Sequence, residues 1–484
     1  MRYQRVLFVI PFLPGRYGFP PAPYTGTGYV AEYINQKGIT YDVIDMRLLY
    51  TEKDLQKKIE EFKPDLIGFT IFTYRRSSAY KTIGFVKNFH IPIVIGGAHA
   101  STYKAKIFEE CDVDYVIKGE GEETLYELCM GKSLKDIQGL IYKEEGKIIN
   151  NPDRPWKIKL DEFPWPRFEK FELKKYARNE IHVVTSRGCP ANCIFCSIVL
   201  VAGRVWRARS AESVYEEIKY WADKGYDTIK VSDDNLTVNR ERVMKICDLL
   251  IKNNVKMIIE NPNGIRADKA DKELLIKMKQ AGWQTIAFGV ESANNDILKV
   301  IKKGENIETI EEAVKNATDL GFDVALFFMV GNPQETTQHV RNSIELAKKY
   351  PIRNANFYDP IPFPGTELYD YVDKHNLWVQ NKDTYLDEIA HFDDPIFQTP
   401  EFPLEERKKM LRETMKVERW IRKRHTKLKL KQRGIFIGVF AGIVTSIMFS
   451  EFFYNRIIKW QEENKHFKKI LIFFAKRFGI GYTL

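Results

Sequence analysis

Short apolar runs alternate with amphipathic stretches twice along this chain, and that double alternation limits the folds open to it. The first series has strand candidates at 6–12, 41–46, 65–73, 92–97 and 115–118, with helical periodicity between them, as at 54–62 and 79–89. Strands that alternate with helices pair in parallel, so residues 1–130 are expected to form a doubly wound (flavodoxin/Rossmann-like) sheet. A second series has strand candidates at 182–186, 228–232, 256–260, 285–290, 324–330 and 355–361. Six strand–helix repeats predict a partial (β/α)6 barrel, which is placed within 181–400. The stretch 131–180 contains Pro152, Pro155, Pro164 and Pro166 and reads as an extended linker, because a residue before proline is biased away from helix. Residues 401–484 form a basic, largely helical C-terminal region. The fold class is therefore α/β.

Three cysteines fall in the run Arg187-Gly188-Cys189-Pro190-Ala191-Asn192-Cys193-Ile194-Phe195-Cys196. The spacing is C-x3-C-x2-C, in the loop after the first strand of the second series. Thiolates are the preferred protein ligands of iron–sulfur clusters, and three of them hold three corners of a cube. The fourth iron is left open, and an open metal position is where a cosubstrate binds. A structural zinc site asks for four ligands, usually in paired C-x2-C units. Cys111, Cys129 and Cys247 are isolated and supply no second pair.

This run, with Phe195 before the last cysteine, resembles the radical S-adenosylmethionine (SAM) superfamily. The resemblance implies a 4Fe-4S cluster on Cys189, Cys193 and Cys196, with SAM chelated at the open iron. It also implies an enzyme that cleaves SAM to a 5′-deoxyadenosyl radical and modifies an unactivated carbon. The other loops at the strands' carboxyl ends are polar, where SAM would need partners. Asp233-Asp234-Asn235 offers acceptors to an ammonium group or to ribose hydroxyls. Arg266 has the planar fork that suits a carboxylate. Glu291 and Ser292 end the fourth strand, where Glu291 would hold ribose hydroxyls or pair with Arg266. Phe195, Asp233, Asp234, Arg266, Glu291 and Ser292 are thus the SAM-shell candidates.

The first half carries small, main-chain-exposing residues at the matching ends of its strands. Gly96-Gly97-Ala98-His99-Ala100-Ser101 follows strand four, and Gly119-Glu120-Gly121-Glu122 follows strand five. Glycine lets a large flat ligand approach the backbone. These runs resemble the cobalamin-binding domain of class B radical SAM enzymes, among them cobalamin-dependent methyltransferases and the anaerobic magnesium-protoporphyrin IX monomethyl ester cyclase. By that resemblance Thr73, Gly96, Gly97, His99, Gly119, Glu120 and Gly121 are cobalamin-contact candidates. Domains that ligate cobalt from below carry Asp-x-His-x-x-Gly; the comparable place here reads Asp45-Met46-Arg47-Leu48-Leu49, without a histidine. The implied reaction is methyl transfer to carbon; the alternatives are a cyclisation or rearrangement on the same architecture, or a non-catalytic iron–sulfur or corrinoid-binding module. An electron donor such as flavodoxin or ferredoxin is implied as a partner.

The net charge of +10 is concentrated locally: residues 416–433 hold nine Lys or Arg against one Glu. Residues 434–450 follow with no charge at all. At 1.5 Å per residue seventeen residues span about 25 Å, slightly short of a bilayer core. A basic run before an apolar one fits attraction to anionic lipid, whereas a nucleic-acid groove would interleave polar and aromatic side chains. The expectation is a cytoplasmic protein, with the membrane's inner face as a candidate attachment site, a small-molecule or lipid-like substrate and no nucleic-acid partner. Free thiols without a secretory signal agree with a reducing compartment, and an open iron site implies an anaerobic setting.

Overall fold

The computed structural model describes residues 1–12, 20–388 and 394–431, so the apolar segment 434–450 lies outside the described residues. The first half is a seven-stranded sheet in the order β2-β1-β3-β4-β5-β6-β7. Its strands are β1 (Arg5–Ile10), β2 (Thr40–Asp45), β3 (Leu66–Thr70), β4 (Ile93–Gly96), β5 (Tyr115–Ile117), β6 (Leu140–Glu144) and β7 (Lys147–Asn150). The first five are parallel. Helices cover both faces, so the strands read as continuous apolar runs rather than alternating ones. Leu7, Val9, Ile67, Phe69, Ile93 and Ile95 pack into one core, while Val6, Phe8, Leu66 and Val94 pack into the other.

β6 and β7 lie in the stretch read from sequence as a linker. They form an antiparallel hairpin that extends the sheet beyond β5. Its turn is Glu145-Gly146, both with positive φ (49° and 77°), the backbone that a tight two-residue hairpin requires.

The second half contains β8 (Glu180–Val183), the short antiparallel pair β9 (Ser186–Arg187) and β10 (Arg207–Ala208), then β11 (Thr228–Val231), β12 (Ile258–Glu260), β13 (Trp283–Glu291), β14 (Asp323–Met329) and β15 (Asn354–Tyr358). Its main sheet runs β15-β14-β13-β12-β11-β8, parallel throughout, as the six strand–helix repeats predicted. Ser210, Asn239, Asp271, Asn306 and Thr366 each cap the helix that follows by accepting from a backbone N–H three residues on. The edge strand β15 is covered by the helix Leu404–Lys431: Glu418 accepts from Phe357 N at 2.7 Å, and Arg422 reaches Asn356 at 3.1 Å.

The two halves are tied by buried polar contacts. Tyr29 donates to Val184 O at 2.9 Å, and its hydroxyl is 3.2 Å from Arg209. Arg209 itself forms a fully buried ion pair with Glu217. Arg187 bridges Glu120 (2.8 Å) and Glu122 (2.7 Å), and Arg207 meets Glu120 at 2.7 Å. Carboxylates from the β5 loop therefore clamp the strands that flank the cysteine loop.

Candidate functional site

The cysteine loop hangs from the carboxyl end of β8 through β9. Gly188 has φ +84°, and a Cβ there would lie 2.6 Å from Val205 O, so the turn into Cys189 excludes a side chain. Cys189 N donates to Gly203 O, Cys196 N to Cys193 O, and Ile194 N to Ile301 O, all at 3.1–3.2 Å. These bonds fix the loop between β10 and the segment after β13. All three thiols are partly exposed and none is in a disulfide. Among the described residues no three His, Cys, Asp or Glu side chains are gathered into a site for one metal ion. Burial raises the Cys193 thiol to about 11, with Lys303 and Arg266 acting in the opposite direction. Burial also raises Cys196.

The residues after β11 divide in role. Asp233 is buried and spends both oxygens on the chain: Oδ1 accepts from Thr185 N (2.6 Å), and Oδ2 from Thr185 Oγ1 (2.5 Å) and Ser186 Oγ (2.6 Å). It holds the end of β8 in place. Asp234 accepts only from Gly188 N (2.9 Å). Burial and the neighbouring Asp233 lift its carboxyl to about 6. Asn235 places Nδ2 3.5 Å from Cys189 Sγ, and its buried Oδ1 has no partner among the described residues. That orphaned acceptor closes the run Asp233-Asp234-Asn235 and is the kind of group a bound ligand satisfies.

Arg266 and Glu291 do not pair with each other. Arg266 binds Asp268 (2.9 Å) and the carbonyls of Lys303 and Gly304 (2.9 Å each). Glu291, at positive φ (62°) beside a register shift in β13, pairs with the buried Lys303 at 3.1 Å. Lys303 lies twelve positions past Glu291 on the far side of a helix, so sequence inspection did not find it. Ser292 is fully buried and accepts from Asn294 Nδ2 at 3.0 Å. Phe195 packs against the barrel core.

In the first half, Gly96 and Gly97 stand at the end of β4. A Cβ on Gly96 would meet nothing within 4 Å, which leaves open space over the main chain there. Gly97 has φ +95° and packs on Ile71 O. Gly119 (φ +74°) donates its N–H to Ser101 Oγ at 3.0 Å and faces Trp156; Gly121 follows it on the same loop. Thr73 is buried. Glu120 turns to Arg187 and Arg207, which hold its carboxyl below the usual range. His99 is wholly buried, with Nε2 2.6 Å from Tyr80 Oη. Burial and Arg76 lower it to about 3, so it is neutral. Asp45 is occupied by Arg47 and Tyr176. Phe12 and Phe72, beyond the ends of β1 and β3, are each over 40% exposed. Two exposed rings and a bare backbone edge at one rim suit a flat macrocycle such as cobalamin.

Residues 183–347 match the Radical SAM superfamily, and residues 22–129 match the B12 binding domain. An uncharacterized methyltransferase of Pyrococcus horikoshii is 33% identical over 426 residues, covering 85% of this chain and 92% of that protein. The cytidylyl-2-hydroxyethylphosphonate methyltransferase of Streptomyces wedmorensis is 26% identical, covering 76% of this chain and 81% of its own. The radical S-adenosylmethionine methyltransferase TsrM of Kitasatospora setae, solved with tryptophan and a SAM analog, superposes with a TM-score of 0.67. It is 19% identical and covers 77% of this chain and 76% of its own. That likeness is one of fold.

Proposed function

Because the chain belongs to the B12-binding radical SAM family of methyltransferase-type enzymes, we propose that it transfers a methyl group to an unactivated carbon of a small molecule. Its cofactors are a 4Fe-4S cluster, SAM and cobalamin. When bound, they supply the electron, the hydrogen-abstracting radical and the methyl group. The observation that carries the reading is the convergence on one rim of three unpaired thiols, the orphaned Asn235 Oδ1 and the singly bonded Asp234 carboxylate.

Each side chain then has a task of its own. Cys189, Cys193 and Cys196 hold the cluster. Asp234 and Asn235 receive the donors of SAM, while Asp233 fixes the strand end that carries them. Lys303 and Arg266 lie near Cys193 and offset part of the burial that raises its thiol. Glu291, held by Lys303 at the lip of β13, would accept from ribose hydroxyls. Thr73, Gly96, Gly97, Gly119 and Gly121 make the floor of the cobalamin site, and His99 supports that floor from beneath. The Arg187–Glu120–Arg207 clamp keeps the two halves in register.

The substrate in this reading is hydrophobic or lipid-like and is met at the cytoplasmic face of a membrane. Among the described residues no helix is long and apolar enough to cross one. Support comes from the half-exposed Trp420 on the basic helix that leads toward 434–450. Sedimentation of the full chain with anionic and neutral vesicles tests it; binding to neither removes the membrane from the proposal. For the chemistry, the anoxically reconstituted enzyme receives reductant, SAM and methylcobalamin. Formation of 5′-deoxyadenosine and S-adenosylhomocysteine supports methyl transfer; deoxyadenosine alone favours cyclisation; neither product refutes both.

A further inference from the structure

The cysteine loop has two flanks, and they differ. On one side Arg187 and Arg207 engage Glu120 and Glu122, and the helix Ala98–Tyr103 packs against Ile198–Val201, so the B12-binding half closes that approach. The other side opens to solvent through a depression of about 580 Å³. Pro190, Ala191 and Asn192, the three residues between the first two cysteines, line it together with Asn235, so its floor adjoins the residues assigned to SAM. Facing them are Arg266, Lys269, Lys299, Lys302 and Lys303, with Asp268 as the sole carboxylate of the lining.

Where the charge is unspent decides what this depression fits. The deep cations are satisfied: Arg266 by Asp268 and two carbonyls, Lys303 by Glu291 and Glu305. No charge at the floor is left over to ligate a small anion. The rim is different. Arg204 is exposed and touches the loop itself, donating to Ala191 O at 2.8 Å. Lys299 is exposed and forms no ion pair among the described residues. Lys269 and Lys302 are half exposed, paired only at the surface, with Asp268 (3.9 Å) and Glu367 (2.5 Å). Such exposed pairs contribute little and leave their field available to a partner. Long mobile cations around a wide mouth steer a protein surface.

We propose that this basic rim is the docking site of an acidic one-electron carrier protein, which reduces the cluster through the 190–192 backbone. The inference rests on the radical SAM reading. One electron leaves the carrier, oxidising it by one equivalent, and reduces the cluster by one; no covalent bond changes.

The test uses the full-length, cluster-loaded enzyme and the triple variant Lys269→Glu, Lys299→Glu, Lys302→Glu, none of which holds a cofactor in the proposed function. Reduced acidic flavodoxin and the reduced methyl viologen cation are compared as reductants by stopped-flow bleaching of the cluster, and flavodoxin affinity is measured with both proteins oxidised. The expected result is a fall of about tenfold to a hundredfold in the flavodoxin rate at low salt, with a matching loss of affinity and of salt dependence. Viologen reduction stays unchanged or quickens. Unchanged flavodoxin rate and salt dependence overturn the proposal. So does equal slowing with both reductants, which places the damage at the cluster. Weakened SAM binding with an unaltered flavodoxin rate overturns it too, by making the depression a small-molecule site. If the anoxically loaded wild-type protein shows no cluster absorbance to bleach, the cluster assignment on which this proposal rests falls instead.

Discussion

Arg407→Met is expected to destabilise the C-terminal helix strongly at pH 8 and much less at pH 5. Arg407 is fully buried and reaches from that helix to the loop after β14. Its guanidinium occupies the space beside Gly331 (φ +108°), where a Cβ would fall 1.9 Å from Arg407 Cζ. It lies 2.7 Å from Asp359 Oδ1 and donates to Phe397 O at 2.7 Å. The contact with Asp359 is close but not aligned as a hydrogen bond. Glu335, buried in the same loop, accepts from Gly331 N and Asn332 N, while its Oε1 has no partner. Two buried carboxyls thus share one cation. Burial outweighs that cation and lifts Glu335 from 4.5 to about 7 and Asp359 from 3.8 to about 6. The folded chain holds these protons more tightly than the unfolded one. Their stabilisation is therefore complete below the ordinary carboxyl range and is lost as pH rises through about 6 and 7. Each interval is worth about 3 kcal/mol. Removing the guanidinium leaves two uncompensated carboxylates above that range, at a cost of about 3–5 kcal/mol. Below it they are protonated, and most of the cost disappears. Methionine keeps much of the buried stem, so cavity formation stays small. Thermal melts at pH 5 and pH 8, with protease cutting before Leu404 as a local probe, measure the difference. Adding Glu335→Gln should restore part of the loss at pH 8. Equal losses at both pH values, or no recovery with Glu335→Gln, would refute the shared-cation argument.

Cys193→Ala is expected to abolish the brown chromophore and SAM cleavage while leaving the circular dichroism unchanged; full SAM cleavage would remove Cys193 from the ligand set. Asp233→Ala and Asp234→Ala should separate by role. The first leaves three donors unpaired and lowers stability by about 2–4 kcal/mol, whereas the second weakens SAM binding at least tenfold with a nearly unchanged melt. Calorimetric titration beside thermal melts would show the split, and identical behaviour would deny it. Glu120→Gln removes the charge that Arg187 and Arg207 share across the two halves. Protease cutting between residues 150 and 180 should quicken several-fold, and a cleavage pattern like that of the wild type would show that the clamp is not what joins them.

How much of this was legible in the sequence depends on how far apart the partners lie. β1 and β3 were readable because a parallel strand buried on both faces is apolar at every position, a signal contained in five or six residues. The hairpin β6–β7 was less so. Its outer strand Lys147–Asn150 is mostly exposed, and apolar alternation fades where only one face meets a core. The signal present was the Glu145-Gly146 turn between two short β-prone runs. The cysteine triplet was legible for the same reason as β1: its chemistry lies within eight residues. The roles of the rim residues were not. Asp233 and Asp234 look alike in sequence, and what divides them is Thr185 and Ser186, nearly fifty positions away, which claim the oxygens of one and leave the other free. Glu291 looked like a partner for Arg266 because both end strands on one rim. Lys303 comes between them only because a helix returns it to the lip of β13. A motif therefore names the atoms that can do chemistry, and the long-range contacts decide which of them are left available. The next assignments at this site should begin from acceptors with no partner, Asn235 Oδ1 first, since a group already paired within the fold has less free energy to offer a ligand.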